Sequence, residues 1–383
     1  MHLRKTNYTQ FFIANDCYCG QAHYSIEYRM KMIRKRLIIM EPVINKYRIN
    51  VIDLIRGFAL MGLPFVNVLA FWSANINLTG TQEDIWVQRF LYLFVEGRFY
   101  AIFSFLFGLG LWIFLSRAKE KNDRPYSLFI RRMLILGIVG WIHHLINPGE
   151  ALLIYAVLGV PVVFFDKVPK QINLILGIAG VIIGSFIGAK LLLILPLMML
   201  GLAFGQYRVF ESYIKRRKTW MTVAVLSFVA TSISVAFLWQ KAPVDGLVYY
   251  MEGFELTETQ VLSNRAFFDF ADLSLTFAPF FSVFYVSFLV LLEPLVKKLL
   301  SPLNAFGRMA FTNYIGQSVI LVIIAMFIPA GTVVSYIDAT ITCVLVVIAQ
   351  IITSSFWLRS FKYGPLEWLW RCGTYGKWIT IRK

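Results

Sequence analysis

Charged side chains are scarce in this chain. They make up 15% of its 383 residues, where a soluble domain carries about a quarter. With 58% hydrophobic residues and a mean hydropathy of +0.67, that scarcity excludes two or three soluble domains and assigns the surplus apolar surface to lipid. It also excludes a disordered or collagenous chain. Cysteine is equally thin: Cys17, Cys19, Cys343 and Cys372 have no metal-site spacing with the four histidines, so no metal centre and no disulfide framework is expected. Acidic residues are outnumbered, 21 against 37 Lys and Arg, for a formal charge of +16. In a soluble protein such a balance invites a nucleic-acid reading. Here membrane topology accounts for it, because cytoplasmic loops collect Lys and Arg, and no nucleic-acid partner is expected. The first 48 residues contain no apolar h-region, so no cleavable signal peptide is expected there. Met40 just before the first motif leaves open a translation start at that position.

What is present is a run of apolar stretches, each of a length suited to crossing a bilayer. Ten are read: 49–72, 99–115, 128–146, 151–165, 172–189, 191–207, 220–239, 270–292, 310–328 and 333–356. The fold class expected is all-α, a polytopic integral membrane helix bundle. Assigning the loops alternately to two sides puts 31 of the 37 basic residues on one side and five on the other, with Arg56 inside the first span. That bias places both termini in the cytoplasm of a multi-pass cell-membrane protein. The expected organisation is a basic leader over 1–47, the bundle over 48–356 and a Trp-rich basic tail over 357–383. Gly184 with Gly188 and Gly201 with Gly205 are spaced for close helix packing. The longest outer loop, 240–268, carries Asp245, Glu252, Glu255 and Glu258, either as an acceptor-binding cap or as a solvated connection.

Ionisable groups inside a span cost about 2.5–3.5 kcal/mol each on insertion scales, so they face the bundle, pair, or line a cavity. Asp53 and Arg56 share a face at i and i+3. They read either as a neutralised pair fixing helix register or as a site in which Arg56 meets an anionic ligand. The third span opens with Arg131 and Arg132 and ends with His143 and His144, before Asn147-Pro148-Gly149-Glu150. Twelve residues of helix from Arg131 to His143 rise about 18 Å. Paired arginines can hold phosphates bidentately, and an imidazole titrating near neutrality can accept a proton. The plainer readings are a positive-inside anchor and interfacial polarity. On the ninth span Asn313 and Gln317, at i and i+4, serve either interhelical hydrogen bonding or a ligand cavity.

The stretch 307–318, followed by Trp357 through Gly364-Pro365-Leu366-Glu367-Trp368-Leu369-Trp370-Arg371 and Thr374-Tyr375-Gly376, resembles the C-terminal signature of the YeiB-like membrane proteins. Three further blocks are similar to that family: Arg48 to Leu60, Glu96-Gly97-Arg98-Phe99 with 103–110, and 131–159. The first-span pattern is in turn similar to the heparan-glucosaminide N-acetyltransferases and, more distantly, the acyltransferase-3 proteins. The resemblance implies a transmembrane acyltransferase fold. Within the family's third-span pattern Arg131, Arg132, Gly140, His143, Gly149 and Tyr155 fall in place, Glu150 stands where Asp is usual, and the turn after His143 is one residue short.

The leading expectation is an acyltransferase that takes an acyl group, acetyl above all, from cytoplasmic acyl-CoA. Its acceptor would be a hydroxyl or amine on a small molecule, glycan or lipid at the outer side. Arg131, Arg132, Arg308 and Arg371 are the candidates for the CoA phosphates. His143, with His144 in reserve, is the candidate base, and Glu150 would orient it. Asp53, Arg56, Asn313 and Gln317 are candidates for substrate contact. The rival expectation is a transporter for a small anionic metabolite or lipid precursor, in which the same groups line a path. A structural or assembly subunit is the third. Beyond the lipid bilayer, association into a homodimer is left open.

Overall fold

The computed structural model describes residues 49–72, 81–121, 124–147, 149, 151–188, 190–243, 257–329, 332 and 334–383. The leader expected over 1–47, Glu150 and most of the acidic outer loop lie outside the described residues. Among the described residues the chain forms thirteen α-helices: α1 (Asn50–Trp72), α2 (Gln82–Phe94), α3 (Arg98–Glu120), α4 (Pro125–His144), α5 (Leu152–Val162), α6 (Lys170–Ile187), α7 (Lys190–Gln206), α8 (Arg217–Lys241), α9 (Glu258–Leu292), α10 (Ser301–Arg308), α11 (Ala310–Met326), α12 (Tyr336–Ser360) and α13 (Pro365–Tyr375). A 3-10 turn over Val163–Lys167 extends α5. Every apolar segment read from the sequence coincides with a helix, and the fold is an all-α polytopic membrane bundle. Among the described residues seven helical runs are long and apolar enough to cross a bilayer, α2 and α3 counting as one, and an eighth is the pair α10 and α11, bent by 82°. The apolar α7 has 17 residues, and α5 is shorter still.

Helix ends sort into two faces. On the one rich in Lys and Arg, Lys119 at the end of α3 pairs with Asp166 of the 3-10 turn, the Tyr213 hydroxyl donates to Glu293 over 2.6 Å, and the Trp370 indole donates to the Arg132 carbonyl over 3.0 Å. On the other face, Lys190 at the start of α7 pairs with Glu96, Arg89 of α2 donates to the Pro243 carbonyl after α8, and the Ile337 N–H of α12 donates to Asp84 over 3.0 Å. The alternation is the one the basic-residue bias requires.

Close crossings hold the bundle together. A Cβ at Gly108 would stand 1.8 Å from the Met198 carbonyl oxygen and one at Gly201 would stand 1.9 Å from that of Phe105, so α3 and α7 touch backbone to backbone. Gly205 meets the Trp112 side chain in the same seam. Gly188, by contrast, ends α6 at φ 72, so the 184/188 pair is one packing glycine and one helix stop. The expected outer loop 240–268 is shorter than read, because Thr257 caps α9 at Glu258 with a reciprocal Gln260 bond. Within 357–383, α12 runs on to Ser360, and α13 packs back onto α4 and α11.

Candidate functional site

The sequence candidates fall into three groups. The first gathers at the basic face around α4. Arg56 donates to Asp53 over 3.0 Å, with the Asp53 carboxylate buried. Arg132 lies within Coulombic range of both Arg56 and Arg371. Its guanidinium stacks 3.5 Å from the centroid of Trp370 and 5.2 Å from that of Phe114. Arg371 in turn sits 4.6 Å over Tyr363, and Arg131 meets the turn at Gly376, where a Cβ would stand 3.0 Å from a guanidinium nitrogen. Arg308 donates to the Lys362 carbonyl at 3.3 Å. Several arginines therefore share one neighbourhood in which Asp53 supplies negative charge to Arg56. Stacking on aromatic rings offsets part of the desolvation without neutralising the charge, and such a cluster attracts a polyanion.

This neighbourhood depends on α13. Glu367 accepts from the Phe311 and Thr312 N–H groups at 2.7 and 3.2 Å and from the Thr312 hydroxyl at 2.6 Å. A carboxylate from a distant helix thus caps α11 where its first N–H groups are otherwise unpartnered. Burial pushes the Glu367 carboxyl above its usual range, against the downward pull of these hydrogen bonds. The sequence signature contained Glu367 and Trp370, but nothing in their spacing said that one would cap α11 and the other hold Arg132.

The second group sits at the break between α10 and α11. Asn313 donates to the Phe306 carbonyl over 3.1 Å and to the Ser354 hydroxyl over 2.8 Å. It thereby adds a second donor at the 82° bend, where the Phe306 carbonyl also accepts from the Met309 N–H over 3.1 Å. Gln317 donates to the Leu60 carbonyl at 3.4 Å, and Gln350 of α12 to the Asn313 carbonyl at 3.1 Å. Both amide oxygens, and the hydroxyl of Ser318, are buried without a partner among the described residues. The first group and this one meet where α1 crosses α10. A Cβ at Gly57 would stand 2.3 Å from the Leu303 carbonyl oxygen, and one at Gly307 would stand 1.9 Å from that of Asp53.

The third group lies at the far end of α4. His143 is 2% exposed and its ring meets that of Tyr314 at 5.3 Å, edge to face, whereas His144 is exposed. Successive helical residues point about 100° apart, so only one of the pair can face the bundle. Asn147 continues the turn, its N–H donating to the His143 carbonyl over 2.9 Å. Its side-chain oxygen accepts from the Gly149 N–H over 3.1 Å, and its amide nitrogen is buried with no acceptor among the described residues. On α5, the Tyr155 hydroxyl pairs with Ser104 at 3.1 Å.

One strongly buried cation escaped notice in the sequence. Arg98 is fully buried, donates to the Glu96 carbonyl over 2.6 Å and to Ser274 over 2.8 Å, and stacks 4.4 Å over Phe281. Its place directly after Gly97, at φ 76, is the signal that was available: a charge fixed by a left-handed turn at a span's start.

Comparison with known proteins adds the family. A model described as "Protein of unknown function (DUF418)" matches residues 204–377, from the end of α7 through α13. An uncharacterised 39.9 kDa protein from the amylase 3' region of Bacillus acidopullulyticus is 38% identical over 346 residues, covering 89% of this chain and 98% of its own length. YxaH of Bacillus subtilis (strain 168) is 27% identical over 90% of this chain and 98% of its own. YeiB of Escherichia coli (strain K12) is 26% identical over 84% and 94%. Matched along nearly its whole bundle, the chain belongs to the YeiB-like family of proteins of unknown function.

Proposed function

We propose that the protein is a cell-membrane acyltransferase that carries an acyl group from cytoplasmic acyl-CoA to an acceptor at the outer side. The observation that carries this reading is α4 itself. One end presents Arg131 and Arg132 beside Arg56 and Arg371 at the basic face, and the other holds the buried His143 against Tyr314. The phosphates of CoA suit the arginine neighbourhood, with Arg132 stacked on Trp370 and near Phe114. The thioester would extend along α4 toward His143. There the imidazole takes the proton of an acceptor hydroxyl or amine, the freed oxygen or nitrogen bonds to the acyl carbon, and the carbon–sulfur bond breaks. The departing thiolate receives the proton from His143. Of the two histidines, His143 takes this role because it faces the bundle. Asn313 and Gln317 donate to Phe306, Ser354 and Leu60, which leaves the Gln317 amide oxygen as the candidate for substrate contact.

Purified protein in detergent, given radiolabelled acetyl-CoA and candidate hydroxyl and amine acceptors, tests the reading. His143→Ala should lower transfer by about a hundredfold or more, the usual contribution of a positioned base, while His144→Ala retains it. Arg132→Gln should raise the apparent KM for acyl-CoA without an equal fall in kcat. Equal activity of both histidine variants, or no CoA binding, rejects the proposal. Counterflow of an anion in proteoliposomes without covalent change would favour transport instead.

A further inference from the structure

A groove of about 600 Å³ opens between α2, α8 and α9, lined by Phe94, Thr231, Val235, Trp239, Phe284 and Tyr285 among others. That volume is in the range of small-molecule sites. Its outer flank is the α8 surface of Val225, Val229 and Ile233, all apolar and exposed, which in a spanning helix means exposed to lipid chains. Two further observations bear on what fills it.

The first is at its outer mouth. Trp239 stacks on Trp86 at 5.4 Å, and the Arg89 guanidinium stands 5.8 Å from both rings. Lys241 follows at the end of α8. Topology keeps Lys and Arg away from this side, yet two of the few present lie here, among aromatic residues of the kind that settle at headgroup level. The second is inside. Ser227 and Ser234 donate to the Val223 and Ala230 carbonyls of their own helix, each over 2.7 Å. Thr231, on the same helix and 7% exposed, has a hydroxyl with no partner among the described residues, and it lines the groove. A buried hydroxyl left unpaired in apolar surroundings is unfavourable, and a ligand with an acceptor at that depth relieves it. Eight residues separate Thr231 from Trp239, a rise of about 12 Å. A phosphate and the first ester carbonyl of a glycerolipid can bridge that interval with one contact at each end.

We propose that this groove binds one anionic glycerophospholipid of the outer leaflet. The phosphate sits against Arg89 and Lys241, an ester carbonyl accepts from Thr231, and the acyl chain lies along Val235, Phe228 and Phe284. The site is independent of acyl transfer: it needs neither CoA nor His143.

The test uses the full-length protein in nanodiscs with a phosphatidylglycerol carrying a diazirine in one acyl chain. After illumination, the peptides that carry lipid are identified by mass spectrometry. Adducts should concentrate on α8 between Phe228 and Trp239 and on α9 near Phe284. Ala236→Trp, which fills the groove from its lipid-facing side, should lower that yield at least fivefold. Thr231→Val preserves shape and should lower it by about fivefold, the loss of one hydrogen bond. A diacylglycerol with the same photoreactive chain should label the groove less than the phospholipid does. Adducts spread evenly over α6, α8 and α12, or yields unmoved by Ala236→Trp and Thr231→Val, would overturn the proposal. Equal labelling by diacylglycerol would overturn the headgroup contact. Absence of lipid adducts on α8 and α9 would overturn the proposal as well. Size-exclusion profiles matching the wild type confirm that each variant is folded.

Discussion

At the scale of single residues, Glu367 makes the sharpest demand. Its carboxyl is raised by burial, so the folded chain binds that proton more tightly than the unfolded chain does. The stability this group confers is therefore complete below the ordinary carboxylate value of 4.5 and is lost as pH climbs through the raised one. Glu367→Gln keeps an acceptor for the Phe311 and Thr312 N–H groups and imitates the protonated form. In paired thermal-unfolding series in detergent between pH 4 and pH 8, the wild type should lose stability relative to the Gln variant as pH rises. A difference that stays flat, or runs the other way, contradicts the assignment. Glu367→Ala removes the cap altogether and should cost about 1–2 kcal/mol, as other helix caps do. The sequence made such residues visible without making their partners visible. His143 and His144 are adjacent and chemically equal, and Tyr314, far downstream on α11, marks the buried one from the exposed one. Arg98 was hidden because its partners Ser274 and Phe281 come from α9, and no local pattern announces a contact across so much chain.

At the scale of elements, hydropathy alone located the apolar segments, because bilayer thickness fixes span length and unsatisfied backbone is excluded from lipid. What it missed was where a helix breaks or continues for reasons of packing. The bend at Met309 joins α11 to α10, whose eight residues match no span length, and its stabilisers, Asn313 and Ser354, lie on different elements. The helix α13, 11 residues containing Trp368 and Trp370, matches no span length. Its amphipathic face is legible only once α4 and α11 are there to receive it. The α1–α10 crossing gives a prediction at this scale. Gly307→Ala would place a methyl 1.9 Å from the Asp53 carbonyl oxygen, and backbone cannot yield as a side chain can. Overpacking of about 1–3 kcal/mol is expected. Gly110→Ala, which meets nothing within 4 Å, should be neutral or gain about 0.5–1 kcal/mol from helix propensity. Denaturant titration of the two variants side by side checks it. Equal stabilities would mean that the two helices are not in backbone contact.

At the scale of the whole molecule, the arginine neighbourhood and His143 have opposite access to water, and that depends on which face is the cytoplasmic one. Lys and Arg bias predicts that the face with Arg131, Arg371 and Lys298 is the cytoplasmic one. The contacts at each end agree with one another: Asp84 with α12 and Arg89 with Pro243 on one side, Tyr213 with Glu293 and Trp370 with Arg132 on the other. An error in the number of crossings would have mixed these two sets. Single cysteines placed in a background lacking Cys17, Cys19, Cys343 and Cys372 can read the orientation. Glu83→Cys lies in the exposed first turn of α2, and Lys298→Cys lies between α9 and α10 at an exposed position. On intact cells a membrane-impermeant maleimide should label the first and spare the second, and both should react after permeabilisation. Labelling of Lys298→Cys alone would invert the bundle. The arginines would then face away from the cytoplasmic acyl-CoA pool, and acyl transfer from it would fail on geometry before any chemistry was measured. Labelling of both sites in intact cells would mean that the number of crossings between α2 and α10 is wrong, and the two ends of α4 would no longer serve donor and acceptor from opposite sides.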